Sequence, residues 1–158
     1  MKLICVLLFL VFQIKTFAQK DFFKDRKADL ELGINVGAVK PTAEIGINLY
    51  KLFDRGMTSN SLIISSEFNY SNDKLLIAPK ITYSKIYLVI NYSVSLINYN
   101  YNHQNGLFFR PNIGITNCGW MDLVYGYNIP IQRYFDFVPT HVITLRFKLF
   151  GIIKDHVF

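Results

Sequence analysis

Ala28-Asp-Leu-Glu-Leu-Gly-Ile-Asn-Val-Gly-Ala38 alternates an apolar residue with a polar or small one at every step. Leu30, Leu32, Ile34, Val36 and Ala38 fall on one side, and Asp29, Glu31, Gly33, Asn35 and Gly37 on the other. Successive side chains of a β-strand point to opposite faces, so a sustained period of two predicts a strand with two chemically different faces.

The same rhythm continues to Phe150 and resolves into about eight strand candidates, a number typical of the smallest closed membrane barrels. After 28–38 these are 42–53, 61–71, 75–84, 86–99, 107–116, 121–131 and 141–150, with a short turn expected near Lys85. Turn chemistry separates them at Asn72-Asp73, Asn102-His-Gln-Asn-Gly106 and Asn117-Cys-Gly119. The longest connection is 132–140. Glu31-Leu-Gly-Ile-Asn35, Glu44-Ile-Gly-Ile-Asn48 and Asn112-Ile-Gly-Ile-Thr116 echo one another at the same phase, a hairpin-level similarity. β-Branched and aromatic residues dominate after residue 18, and no helix of useful length is expected there.

The first residues read as an export signal. Lys2 precedes an apolar run from Leu3 to Phe12, and Thr16-Phe-Ala18 offers a small-residue cleavage site before Gln19. The run is shorter than the roughly 20 apolar residues that a spanning helix needs. The expected organisation is a signal peptide at 1–18, a short periplasmic segment at 19–27, a barrel at 28–150 and a tail at 151–158. Cys5 leaves with the signal, so Cys118 stands alone and the exported chain forms no internal disulfide. Loss of Lys2 and Lys15 lowers the formal charge of +6 by two, and the scattered remainder argues against a nucleic-acid partner.

The two faces differ in a way that orients the sheet. The polar face is mostly Gly, Ser, Asn and Thr, which suits a crowded interior, whereas the Leu, Ile, Val and Phe face suits hydrocarbon. Glu31, Glu44 and Glu67 come from three consecutive strands of that polar face, Lys80, Arg110, Arg146 and Lys148 come from others, and Asp122 adds a further acid. A barrel of about eight strands is only wide enough inside for side chains, so these charges are expected to interlock as a structural plug without an open pore. Phe53, Tyr70, Tyr83, Tyr99, Tyr101, Trp120, Tyr134 and Phe135 sit near strand ends, where interfacial aromatic girdles are expected.

Signal, amphipathic strands and an aromatic-rich final strand together resemble the small outer-membrane β-barrel proteins of Gram-negative bacteria, over residues 28–150. The most specific element is His141-Val-Ile-Thr-Leu-Arg-Phe-Lys-Leu-Phe150, which looks like the C-terminal assembly signal of that group. Phe147, Leu149, Phe150 and the terminal Phe158 are its candidate residues, with Gly151 to His156 lying between Phe158 and the strand. The resemblance implies an all-β, closed, antiparallel up-and-down transmembrane barrel in the cell outer membrane. It further implies contact with outer-membrane lipid, insertion by the barrel assembly machinery, and a monomer. An even strand number then places both termini on the periplasmic side and the 132–140 connection on the outer surface.

Catalytic chemistry finds little support. His141 lies near Asp136, while His103 and His156 lie in a connection and in the tail, and no local serine completes a triad. No metal-ligand spacing or phosphate-binding glycine loop is present, so neither metal nor cofactor is expected. The expected role is non-enzymatic: structural, adhesive or surface-interacting. A narrow porin-like conduit for ions or small solutes is the first alternative. A soluble lipocalin-like ligand-binding barrel is the second, although the first strand lacks a Gly-x-Trp motif and the single tryptophan, Trp120, sits far along the chain.

Overall fold

The computed structural model describes residues 27–37, 41–53, 58–71, 74–101, 104–117, 121–132 and 135–149. The expected export signal, Cys118, Trp120, Tyr134, Phe150, Phe158 and the expected tail lie outside these residues. The alternating segments become β1 (Lys27–Gly37), β2 (Thr42–Phe53), β3 (Thr58–Ser71), β4 (Lys74–Tyr87), β5 (Ile90–Tyr101), β6 (Gln104–Asn117), β7 (Met121–Tyr127), β8 (Ile129–Pro130) and β9 (His141–Leu149). No helix occurs among the described residues.

Every neighbouring pair is antiparallel, and β9 returns to β1 from Leu30↔Leu149 to Gly37↔Val142, closing the sheet. β7 and β8 form one line of chain against β6, interrupted at Asn128, so the wall consists of eight strands. Closure gives the first and last strands hydrogen-bonding partners they would lack in an open sheet. Lys27 and Leu149 mark the terminal end of the barrel, together with the β2–β3, β4–β5 and β6–β7 connections. The opposite, loop end carries the 131–140 connection.

Parity along each strand decides burial. In β1, Asp29, Glu31, Gly33 and Asn35 are buried inside, while Leu32, Ile34 and Val36 are exposed outside. In β4, Ala78, Lys80 and Thr82 face in, and Leu75, Ile77 and Ile81 face out.

One expected hairpin is displaced. β4 runs on to Tyr87, the turn is Leu88-Val89, and β5 begins at Ile90, so Ile86 is an inward residue of β4 and not an outward residue of the fifth strand. Two-residue hairpin turns need positive φ, and Leu88 supplies it at 56°. Because the turn uses Leu and Val in place of Asn or Gly, composition marks nothing there. The outward set changes from odd to even numbers once in either assignment, and the apolar run Ile86-Tyr-Leu-Val-Ile90 does not mark where. The connection is tied down by a 2.8 Å hydrogen bond from the Thr116 N–H to the Val89 carbonyl.

Candidate functional site

Inward parity on β2, β3, β4 and β6 converges on a cluster of charges. Glu44 and Glu67 are direct cross-strand partners on adjacent strands, an arrangement that repels unless a cation intervenes. Lys80 intervenes: its Nζ lies 2.6 Å from Glu44 Oε2 and 2.9 Å from Glu67 Oε1. Ser65 Oγ donates to Glu44 Oε1 at 2.8 Å. From β6, Arg110 reaches Glu67 with two bonds, Nη1 to Oε1 at 2.7 Å and Nη2 to Oε2 at 3.2 Å. Such a fork matches both carboxylate oxygens and fixes orientation as well as charge. Arg110 Nε donates to Asn128 Oδ1 at 2.7 Å, and the Tyr99 hydroxyl donates to Glu67 Oε2 at 2.7 Å.

A second cluster lies toward the terminal end. Lys148 Nζ and Asp122 Oδ2 are 3.0 Å apart, and Asn91 Nδ2 donates to the same oxygen at 3.1 Å. Asn48 Nδ2 donates to Glu31 Oε2 at 3.1 Å. Arg146 sits between the clusters, its Nε 3.6 Å from Glu31 Oε1 and 3.8 Å from Glu44 Oε2. These are ion pairs without hydrogen bonds, and no nitrogen of its guanidinium has a hydrogen-bonding protein partner among the described residues. Close passage is possible because the wall is cut back beside the arginines: a Cβ on Gly126 would lie 2.8 Å from Arg110 Cδ, and one on Gly33 would lie 3.3 Å from Arg146 Cγ.

All eight charged residues selected from the sequence therefore lie in the interior, each at most 8% exposed, as four acids against four bases. Asp29 is a further buried acid that the sequence analysis placed on the inner face without including it in this set. Tyr99 and Asn128 were missed as members of the network. Of the residues expected to form an assembly signal, Phe147 and Leu149 lie on the outward face of β9, and Phe150 and Phe158 are outside the described residues.

Above the Glu67–Arg110 fork the interior changes character. Residues 135–140 of the last connection lie in the mouth and place Phe135 and Val138 against Ala78, Ile97, Tyr99 and Phe108, with Phe137 packed alongside. Tyr99 meets Phe108 edge-to-face at 5.4 Å, and Phe135 stacks on Phe137 at 5.1 Å. Asn128 anchors this segment: its Nδ2 donates to the Pro139 carbonyl at 2.6 Å and its N–H to the Thr140 carbonyl at 2.8 Å. A Cβ on Gly106 would overlap the Phe135 ring.

Tyr99 and Phe135 therefore do not belong to an outward girdle. Tyr99 shares parity with Asn91, Ser93 and Ser95, the inward set of β5, and Phe135 is carried inward by the connection. Phe53, Tyr70 and Tyr83 do face outward, as do Tyr87, Tyr92, Tyr125 and Tyr127. His141 also lies on the exterior, with Nδ1 2.6 Å from the Tyr125 hydroxyl and its ring edge-to-face with Tyr127 at 5.1 Å. No group of side chains suited to a metal ion occurs among the described residues. The chain matches no known protein family, characterised protein or solved structure.

Proposed function

We propose that this chain is a non-enzymatic outer-membrane β-barrel of a Gram-negative envelope, with a structural, adhesive or surface-interaction role and an interior closed to solutes. One observation carries the reading: large apolar side chains cover the middle of the outer face, where Glu31, Glu44, Glu67, Lys80, Arg110, Asp122, Arg146 and Lys148 all point inward and the outward lysines Lys27, Lys51 and Lys85 lie only near the terminal end. Ile34, Ile64, Ile81, Ile115 and Ile143 are each at least 50% exposed on this outer face. Soluble monomers seldom expose contiguous apolar patches beyond a few hundred Å². In a bilayer the same belt is solvated by lipid, and a closed sheet meets the demand that backbone polar groups be paired. The belt also argues against a lipocalin-like soluble barrel, whose apolar residues turn inward around a ligand.

In this reading outer-membrane lipid is the constant partner, the barrel assembly machinery inserts the chain after removal of residues 1–18, and the barrel is a monomer. The termini face the periplasm, and the 131–140 connection faces outward from the cell. The conduit reading draws on the polar terminal-end interior, where Glu31 Oε1, Asp122 Oδ1 and Asn48 Oδ1 lack hydrogen-bonding protein partners among the described residues. The aromatic core closes the other mouth of that interior, which favours a silent barrel.

The test is the electrophoretic mobility of the outer-membrane fraction in detergent, with and without boiling. A heat-dependent shift is expected, because closed membrane barrels stay folded in detergent until heated. Recovery in the soluble fraction with no shift would overturn the membrane assignment. Unitary conductance in planar bilayers would replace the closed barrel with the conduit.

A further inference from the structure

Two prolines divide the wall at the loop end. The β3–β4 ladder passes unbroken through Ser66↔Pro79, so the missing N–H of Pro79 faces β5. The β4–β5 ladder ends one residue short of it, at Lys80↔Ile97, although β4 continues to Lys74 and β5 to Tyr101. Pro111 repeats the pattern: β5–β6 passes through Val94↔Pro111, and the pairing of β6 with β7 stops at Asn112↔Gly126, resuming with β8 at Phe109↔Ile129. The β6 break is short. The β4–β5 break is not repaired: residues 74–79 and 98–101 run on without pairing to each other, each still paired to its other neighbour.

What flanks this seam differs on its two sides. β4 presents Leu75, Ile77 and Pro79 outward, whereas β5 presents Asn98 and Asn100 outward. Behind it lies the apolar core of Ala78, Ile97, Tyr99 and Phe108, completed by Phe135 and Val138 from the connection. Strand-borne side chains are held by the sheet, but Phe135 and Val138 are held by a connection tied to the wall at its ends, by Asn128 on Pro139 and Thr140 and by the Ile131 N–H on the Leu107 carbonyl. The Glu67–Arg110–Tyr99 hydrogen bonds form a polar floor.

We propose that the β4–β5 seam is a lateral port that admits one acyl chain of a membrane amphiphile. The chain takes the place of Phe135 and Val138 against the strand-borne core, its end stopped by the polar floor. Its headgroup lies outside, beside Asn98 and Asn100. A hydrocarbon chain is the ligand class that fits, since the core offers apolar contacts and the route to it adjoins the apolar flank of β4. The inference rests on the membrane-spanning reading.

The test uses the full barrel refolded into phosphatidylcholine vesicles containing a phospholipid with a diazirine at the end of one acyl chain. Labelled residues are located by mass spectrometry after irradiation. Cross-links are expected on inward Ala78, Tyr99 or Phe108 as well as on outward Ile81 and Ile113. Ile77→Cys with Asn100→Cys, which would be partners if the register continued, staples the seam when oxidised. Inward labelling should then fall at least tenfold and return on reduction, with outward labelling unchanged. Pro79→Val, which restores the missing N–H, should lower inward labelling without a staple. Outward labelling alone in the wild-type barrel, or inward labelling indifferent to both variants, would overturn the port. Labelling of neither face would overturn the membrane-spanning reading, and the port with it.

Discussion

The terminal and loop halves of this barrel solve the problem of filling a narrow interior in opposite ways. Toward the terminal end the inside is charged, with Glu31, Asp122 and Lys148 facing in, while Tyr83, Leu123 and Leu149 are among the residues facing out. Toward the loop end β5 inverts this arrangement, with Ile97 and Tyr99 inside and Asn98 and Asn100 outside, as in a water-soluble sheet. The inversion falls within a single strand, between outward Leu96 and outward Asn98. β4 does not share the inversion and keeps Leu75 and Ile77 outward at that level. Below that level a buried charge is held by other charges, and above it the mouth is closed by dispersion and apolar burial.

The Glu67–Arg110 fork joins the halves, and breaking it should have the largest effect. Arg110→Leu leaves Glu67 without its bidentate partner and Asn128 without its donor. Loss of one partner of a buried ion pair costs about 3–5 kcal/mol. Glu67→Gln strands Arg110 in the same way and should fall in the same range. Urea midpoints of the refolded barrel measure both; unchanged midpoints would mean that the fork is not structural. Arg146→Met is a sharper comparison, because Arg146 touches its acids only at 3.6 and 3.8 Å, without hydrogen bonds. Its loss should be about half that of Arg110→Leu, since coulombic support alone is removed. A loss equal to that of Arg110→Leu would show that the hydrogen bonds of Arg110 add little to its coulombic support.

Phe135→Ala tests the other half. Deleting a buried phenylalanine side chain costs about 3 kcal/mol when neighbours do not collapse, and somewhat less in a connection that can resettle. The change should expose the loop-end mouth while leaving the charge network intact. Protease cleavage within 131–140 should therefore accelerate more than global unfolding does. Equal acceleration of the two would mean that the aromatic core and the fork unfold as one unit.

The sequence made the charged half legible and left the aromatic half obscure, for a physical reason. Strand parity is a local property, and it placed Glu31, Glu44, Glu67, Lys80, Arg110, Asp122, Arg146 and Lys148 on one face without knowledge of their partners. Partner choice is not local. That Lys80 bridges Glu44 and Glu67 follows from register across three strands. Tyr99 carried two conflicting signals: its parity pointed inward, while its aromatic character near a strand end suggested a girdle, and the fold obeyed parity. Phe135 had no parity to read, because a connection obeys no period. The Leu88-Val89 turn was hidden since its residues carry no turn chemistry.

That turn gives the smallest effect and the cleanest control. Leu88 is exposed with φ 56°, in the left-handed region where a branched side chain is disfavoured by roughly 1–2 kcal/mol per residue and asparagine is tolerated. Leu88→Asn should therefore raise stability by up to about 1 kcal/mol, less than the full conformational term because the apolar tip loses its own contacts. The turn is joined to the wall by a backbone bond from Thr116 to Val89, which a side-chain substitution leaves in place. It is also remote in the chain from both the fork and the aromatic core. Combined with Arg110→Leu, the gain should add to the loss within about 0.5 kcal/mol, as for independent sites. Strong non-additivity would show that strain at the terminal end is coupled to the charges, and would undo the separation of the two halves.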